Sequence, residues 1–201
     1  MSALPLVNLD VKENNEVAPP TSLARIKDGK RIILDREEIY KFNIPNYKLK
    51  DILIERFELD IKPYDYIKCC NIVHTKGVCI DFSQASSENN SFPELCWEHM
   101  SMTLLSVIIT QAGRVSHNLC SDGRNGVALR FLEMNFRRQA PMNDITFAAE
   151  AKIYERKNEV WADSTWRFYH SSKKFADFNI TSRGVLRDYT KVHESMNIAS
   201  N

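Results

Sequence analysis

Two carboxylates, an imidazole and a hydroxyl stand close together at the head of the longest apolar stretch of this chain: Glu94, Glu98, His99 and Ser101. A carboxylate among apolar neighbours is costly unless paired, and burial displaces its pKa. A general base that activates water needs such a displacement. Glu98, between Trp97 and Met102, is the first candidate for that base. Glu94 lies one helical turn earlier on the same side, and its ordinary role would be that of a solvated first-turn acid. His99 could be a base or could orient Glu98, although a core or interface histidine bonded to a carbonyl is the commoner case. Ser101 and Thr103 could donate to a substrate oxygen, whereas such side chains more often bond back to their own helix. No GxSxG elbow is present, which argues against a Ser-His-Asp hydrolase. The five cysteines (Cys69, Cys70, Cys79, Cys96, Cys120) form no CxxC and no zinc-like cluster with histidine. Reduced thiols and no bound metal are expected.

The elements that must position these groups follow from hydrophobic patterning. Phe92 to about His117 reads as one long helix, with Pro93 in its first turn and Ser91 or Asn90 as cap. Leu95, Met100, Leu104, Leu105, Ile108, Ile109 and Val115 put apolar groups on nearly every face, so the helix is expected to be wrapped by other structure. Before it, alternation from Asp51 to Ile61 marks a strand. Tyr66–Val73 and Val78–Phe82 read as two more, joined by a turn at Thr75-Lys76-Gly77. After the loop Ser121–Gly126 come four strand-like runs: Val127–Arg138, Ile145–Ile153, Val160–Tyr169 and Phe175–Thr181. Short polar breaks between them make antiparallel neighbours. The expected organisation is an N-terminal extension, partly flexible, over residues 1–45, one domain over 46–188 and a flexible tail over 189–201. Arg25 to Tyr40 holds a short hairpin or helix within the extension.

Hydrophobic residues make up 43% and charged residues 26% of 201, with a net charge of +1. Such a balance does not favour nucleic acid or an anionic membrane as partner. No apolar run of about 20 residues could span a bilayer, and the start lacks signal-peptide regions, so a cytoplasmic protein is expected. Within this neutral chain the basic residues Arg137, Arg138, Lys173, Lys174, Arg183 and Arg187 cluster near strand ends. They could meet phosphates or an acidic partner.

Strands, one long helix, then four antiparallel strands resembles the hotdog fold, an α+β single domain with a curved antiparallel sheet wrapped around a long central helix. Phe136-Arg137-Arg138-Gln139-Ala140-Pro141-Met142-Asn143-Asp144 looks like that superfamily's aromatic-basic hairpin, with Met142-Asn143 in place of its Gly. Phe92-Pro93-Glu94-Leu95-Cys96-Trp97-Glu98 is similar to the helix entry of hydroxyacyl-carrier-protein dehydratases. Ser91 stands where they carry His, and Glu98 is one residue off their spacing. Gln111-Ala112-Gly113 and His117 look like the helix end of AfsA-like synthases, and the single-domain length is similar to FcoT-like thioesterases. The resemblance implies a homodimer joined edge to edge and an acyl-CoA or acyl-carrier-protein thioester as substrate. It implies no further cofactor, and hydrolysis as the reaction, with Glu98 as base. Two alternatives stand beside it. One is a dehydratase or lyase acting on 3-hydroxyacyl or enoyl thioesters, for which His74 would have to face Glu98. The other is a non-catalytic acyl-binding module. Gln111, about 20 Å along the axis from Glu98, is expected to be structural. Tyr64, Tyr66, Trp161, Trp166, Phe168 and Tyr169 are read mainly as packing, and Asp81 and Ser83 as minor polar candidates.

Overall fold

The computed structural model of the chain describes residues 29–42, 52–65, 70–84, 98–120, 125–156 and 159–185. Its elements are β1 (Lys30–Asp35), α1 (Arg36–Phe42), β2 (Ile54–Asp65), β3 (Cys70–Cys79), a 3-10 turn (Phe82–Gln84), α2 (Met102–Cys120), β4 (Asn125–Phe136), β5 (Ile145–Arg156), β6 (Glu159–His170) and β7 (Lys173–Val185). The strands form one antiparallel sheet in the order β1-β2-β3-β5-β6-β7-β4. Helix α2 carries the chain from β3, inside the sheet, to β4 at the far edge. Four strand spacings are about 19 Å, and a helix of 19 residues is about 28 Å long, so one helix suffices for the crossing. The β5-β6-β7 meander then fills the gap. At the level of architecture this agrees with a sheet packed on one long helix.

Period-two patterning decides which side of the sheet is core. On β3, Val73, Thr75, Gly77 and Cys79 are buried while His74, Lys76 and Val78 are exposed. On β5, Ile145, Phe147, Ala149, Ala151 and Ile153 are buried in the same alternation. One transverse row on this inner face crosses all seven strands: Leu34, Phe57, Gly77, Phe147, Phe168, Ala176 and Phe136 are successive cross-strand partners. Phe57 and Phe147 are separated by the whole width of β3, yet their ring centroids lie 6.0 Å apart. Gly77 between them makes this possible: a Cβ there would sit 2.1 Å from the Phe147 ring. Phe147 also meets Phe168 at 6.0 Å and Trp166 at 5.9 Å, and Phe168 meets Phe178 at 5.7 Å.

Several sequence expectations need correction. Thr75-Lys76-Gly77 is no turn but the continuous middle of β3. Its glycine is there for the Phe147 ring, not for a bend. Helix α2 starts at Met102, well after Pro93, and Pro93 and Glu94 lie outside the described residues. Nor is α2 covered all round. Leu104, Leu105, Ile108, Ala112 and Val115 are fully buried, while Met102 and Thr103 are exposed and Ser106, Val107 and Thr110 are half-buried. Tyr64, expected in the core, is 62% exposed, with Lys152 Nζ 5.3 Å above its ring. Tyr66 lies outside the described residues.

The four strands after the helix lie where the sequence places them, and the region before it holds β1 and α1. Asp35 and Glu38 cap α1 reciprocally, each accepting from the other's backbone N–H at 2.9 Å. Buried Ile39 then docks this short helix against α2 and β2.

Because the Phe147 ring occupies the space a side chain at position 77 would need, Gly77→Ala is expected to destabilise the fold by about 1–3 kcal/mol through overpacking. Urea unfolding measures the loss. Adding Phe147→Leu to the alanine variant should recover part of it, and strictly additive losses would show that the ring and the glycine are not coupled.

Candidate functional site

Residues 98–101, the described residues directly before α2, are not helical. His99 forms an isolated antiparallel bridge with Pro141, and Met100 N–H donates to Ala140 O at 2.9 Å. Ser101 then caps the helix: its Oγ accepts from Leu104 N–H at 3.2 Å, and its carbonyl accepts from Leu105 N–H at 3.2 Å. The sequence carried this signal in a cap-type residue directly before the Leu104, Leu105, Ile108, Ala112, Val115 stripe, but Pro93 gave a stronger-looking start. Glu98 is therefore not in a second helical turn. It and His99 are exposed at the mouth of the helix, and neither forms a side-chain hydrogen bond or ion pair with Arg137 or Arg138. Glu94 lies outside the described residues.

The basic residues Arg137, Arg138, Lys173 and Lys174 do converge. Arg137 and Lys174 both bond Asp177 Oδ1 at 3.2 Å. Burial alone would raise the Asp177 carboxyl, but the hydrogen bonds from these two cations outweigh it and hold the group below its ordinary pKa. Arg138 donates to the carbonyls of Lys173 at 3.0 Å and His170 at 3.4 Å, and so clamps the β6–β7 turn. That turn is tight, with Ser171 and Ser172 both at positive φ. Two cations thus share one carboxylate, and Arg138 holds the adjoining turn that carries Lys173. Arg138 is only three residues from Pro141, within about 10 Å of chain, so the cluster stands near the end of the molecule where Glu98 and His99 emerge. Arg183 belongs elsewhere, paired with Glu159 at the opposite ends of β7 and β6, and Arg187 lies outside the described residues.

Apolar surface adjoins this end. Met134 and Phe136 on β4 pair with the core residues Phe178 and Ala176, so they share the inner face with them. Yet Leu132, Met134 and Phe136 are 54%, 44% and 41% exposed. β4 pairs only with β7 among the described strands, and its other backbone edge is open. Among the described residues, no element covers the exposed side of α2 or this end of the inner sheet face.

Other polar candidates take structural roles. Gln111, fully inside, accepts from Leu53 N–H at 2.9 Å and satisfies the backbone leading into β2. Asp81 accepts from Ser83 N–H and Oγ, at 3.0 and 2.5 Å, and caps the 3-10 turn. His74 is exposed on the outer face of β3, 3.7 Å from Glu150. It cannot face Glu98 across the inner face, which corrects the dehydratase arrangement that needed it there. Trp166 and Phe168 are core. The buried thiols of Cys79 and Cys120 are pushed up by desolvation, Cys120 to about 12, and so are inert. No described helix is long and apolar enough to cross a membrane.

Sequence reasoning did not single out Ser182. Its Oγ lies 2.8 Å from His117 Nε2, beside a cavity of about 30 Å³ lined also by Thr110, Gly113, Ser164 and Trp166. Burial lowers the His117 pKa from 6.5 to about 4. A histidine at the inward end of α2 was visible in the sequence, but nothing local marked a serine on β7 as its partner.

No known family profile matches the sequence, and no curated relative matches it. Among solved structures the chain is similar to zebra fish thioesterase superfamily member 2, at 9% identity over 74% of this chain and 94% of that one, with a TM-score of 0.42. It is similar to a sigma28-regulated virulence protein of Campylobacter jejuni, at 12% identity over 76% and 92%, with a TM-score of 0.44. It is also similar to an acyl-CoA hydrolase of Agrobacterium tumefaciens, at 12% identity over 66% and 71%, with a TM-score of 0.36. Identities this low leave the side-chain chemistry to be read from this chain alone.

The buried imidazole sets a direct expectation. The unfolded chain binds a proton at His117 below about pH 6.5, and the folded chain only below about pH 4. His117 should therefore contribute fully above pH 6.5 and lose its contribution as pH falls toward 4, by up to about 3 kcal/mol. Denaturant midpoints at pH 7 and pH 4.5 should show this loss, and His117→Gln should flatten it. An equal slope in the variant would assign the acid sensitivity to other groups.

Proposed function

We propose that the chain is a single hotdog domain that hydrolyses acyl thioesters carried by coenzyme A or an acyl carrier protein, working as a homodimer and with no cofactor of its own. The observation that carries this reading is the juxtaposition at one end of the molecule. A carboxylate at the mouth of a capped helix and an open apolar inner face lie at this end, with the cations bonded to Asp177 on the outer side of the sheet at the same end. In this reading the acyl chain lies along the uncovered side of α2 and the exposed Leu132, Met134 and Phe136. The phosphates of the carrier meet Arg137, Arg138, Lys173 and Lys174, whose charge exceeds what Asp177 neutralises. Glu98 takes a proton from water as the water oxygen attacks the thioester carbonyl. The free N–H groups at the start of α2 hold the oxyanion. The C–S bond then breaks, and the thiol leaves with a proton returned from Glu98. His99 and Ser101 flank the base as orienting and donor groups, and Glu94 is the reserve acid of the same segment.

Dimerisation follows from the edge. An unpaired strand whose inward side chains are apolar exposes both backbone groups and hydrophobic area. A second copy pairing β4 with β4 would cover both, and would enclose Glu98 at the junction. A second reading has one observation in its favour: Glu98 is exposed, as it would be in an acyl-binding module without catalysis.

Two expectations separate these readings. Purified protein given acyl-CoA and acyl-carrier-protein thioesters should release free thiol, and Glu98→Gln should slow release by about 10²-fold or more. An unchanged rate removes Glu98 from the chemistry, and acyl binding without thiol release selects the non-catalytic module. Independently, Met134→Asp should convert a dimer to a monomer in sedimentation equilibrium. A wild-type monomer would remove the edge-pairing part of the proposal.

A further inference from the structure

The outer face of the sheet, opposite α2, carries a groove of about 360 Å³ over β2, β3, β5 and β6. Two cross-strand rows build it: Arg56–Val78–Thr146–Tyr169 and Glu58–Lys76–Ala148–Arg167. Small residues make its floor, and Val78 is left 42% exposed there. Arg56 and Tyr169 form opposite walls, three strand spacings or about 14 Å apart at the backbone. Both walls stand at register shifts, between Ile54 and Arg56 on β2 and between Phe168 and Tyr169 on β6. Such bulges bend a strand and re-aim its side chains.

Internal pairing reaches into the groove at Arg56 and Glu58, but leaves Lys76 beside them without an ion partner among the described residues. Glu58 bonds both Arg31 and Arg56 at 3.0 and 3.1 Å, and Lys62 pairs with Asp60 at 2.9 Å. Tyr154 and Thr181 share Asp163 at 3.0 and 2.9 Å, and Thr165 bonds Asn179 at 2.8 Å. By contrast Lys76, Thr146, Arg167 and Tyr169 make no side-chain hydrogen bond or ion pair with any described residue. An apolar floor, a free phenol wall and surplus positive charge select a definite ligand chemistry. We infer that this groove is a binding site for a small anion on a flat aromatic body, with the body seated on Val78 and Ala148 against Tyr169 and the anionic group held by Lys76, beside the Arg56–Glu58 pair. The inference goes beyond the thioester reading, because the groove lies on the other side of the sheet from α2 and shares no residue with the proposed catalytic end.

The test is an amide NMR titration of the full chain with 2-naphthalenesulfonate, alongside neutral 2-naphthalenesulfonamide and inorganic sulfate. Saturable shifts are expected at residues 76–78, 146–148 and 169. The neutral analogue and sulfate alone should each bind about tenfold more weakly or worse. Lys76→Glu and Val78→Asp should each weaken the sulfonate by about tenfold, and Lys76→Glu should leave any thiol release unchanged. Shifts confined to α2 and β4, equal binding of the neutral compound, or full affinity in Lys76→Glu would each overturn the site. So would a change of oligomeric state in Val78→Asp by sedimentation, which would make this face a contact between copies of the chain.

Discussion

A ring laid across a strand that has no side chain at that point organises the molecule. Phe147 on β5 reaches Phe57 on β2 only because β3 offers Gly77 between them. Glycine in a strand interior costs local stability, since it adds backbone entropy and removes packing. Here that cost is offset by continuous aromatic contact, from Phe57 through Phe147 and Phe168 to Phe178 and Phe175. Two small residues, Gly77 and Ala176, set among the rings of one row let the inner face close tightly enough to seat α2. The apolar side of α2, from Leu104 to Val115, can then be buried by a single sheet.

The row does not stop at the last buried residue. Its final member is Phe136 on β4, in edge contact with Phe175 at 6.0 Å and yet 41% exposed. The packed row thus ends in a half-open aromatic on an edge that no described strand pairs. The same strand leads directly into Arg137 and Arg138, and the loop beyond it pairs with His99 and Met100. The geometry that ends the core therefore also fixes the segment that carries Glu98. Fold and proposed site meet in the stretch from Phe136 to Met142.

Much of the architecture was legible because it depends on local period. β5, β6 and β7 alternate cleanly and are divided by short polar turns, so their antiparallel order could be read directly. The errors arose where a residue's reason lay elsewhere in the chain. Gly77 beside Thr75 and Lys76 looks like a turn, and only the Phe147 ring, a partner from a distant strand, explains it. Pro93 looks like a helix start, while the hydrogen bond of Met100 to Ala140 belongs to the non-helical residues 98–101 that directly precede α2. Glu98, expected in the second turn of the helix, precedes it. Its exposure could not be read from a window of neighbours that included Trp97 and Met102.

The buried pair of His117 and Ser182 illustrates the same limit from the other direction. Ser182 pairs with Ala162 across the sheet and meets His117 across the layer, so both of its neighbours are remote in sequence. Gly113 lies one turn before His117, and nothing stands within 4 Å of where its Cβ would be. The imidazole is thus held neutral by burial beside a small void lined with hydroxyls. An uncharged histidine can both donate and accept hydrogen bonds, which keeps two polar groups inside the core at lower cost than a charge would impose. Ile109, Trp166 and Ile180 pack around the same void and keep water from this pair, so the packing that stabilises the domain also makes its inward histidine sensitive to acid.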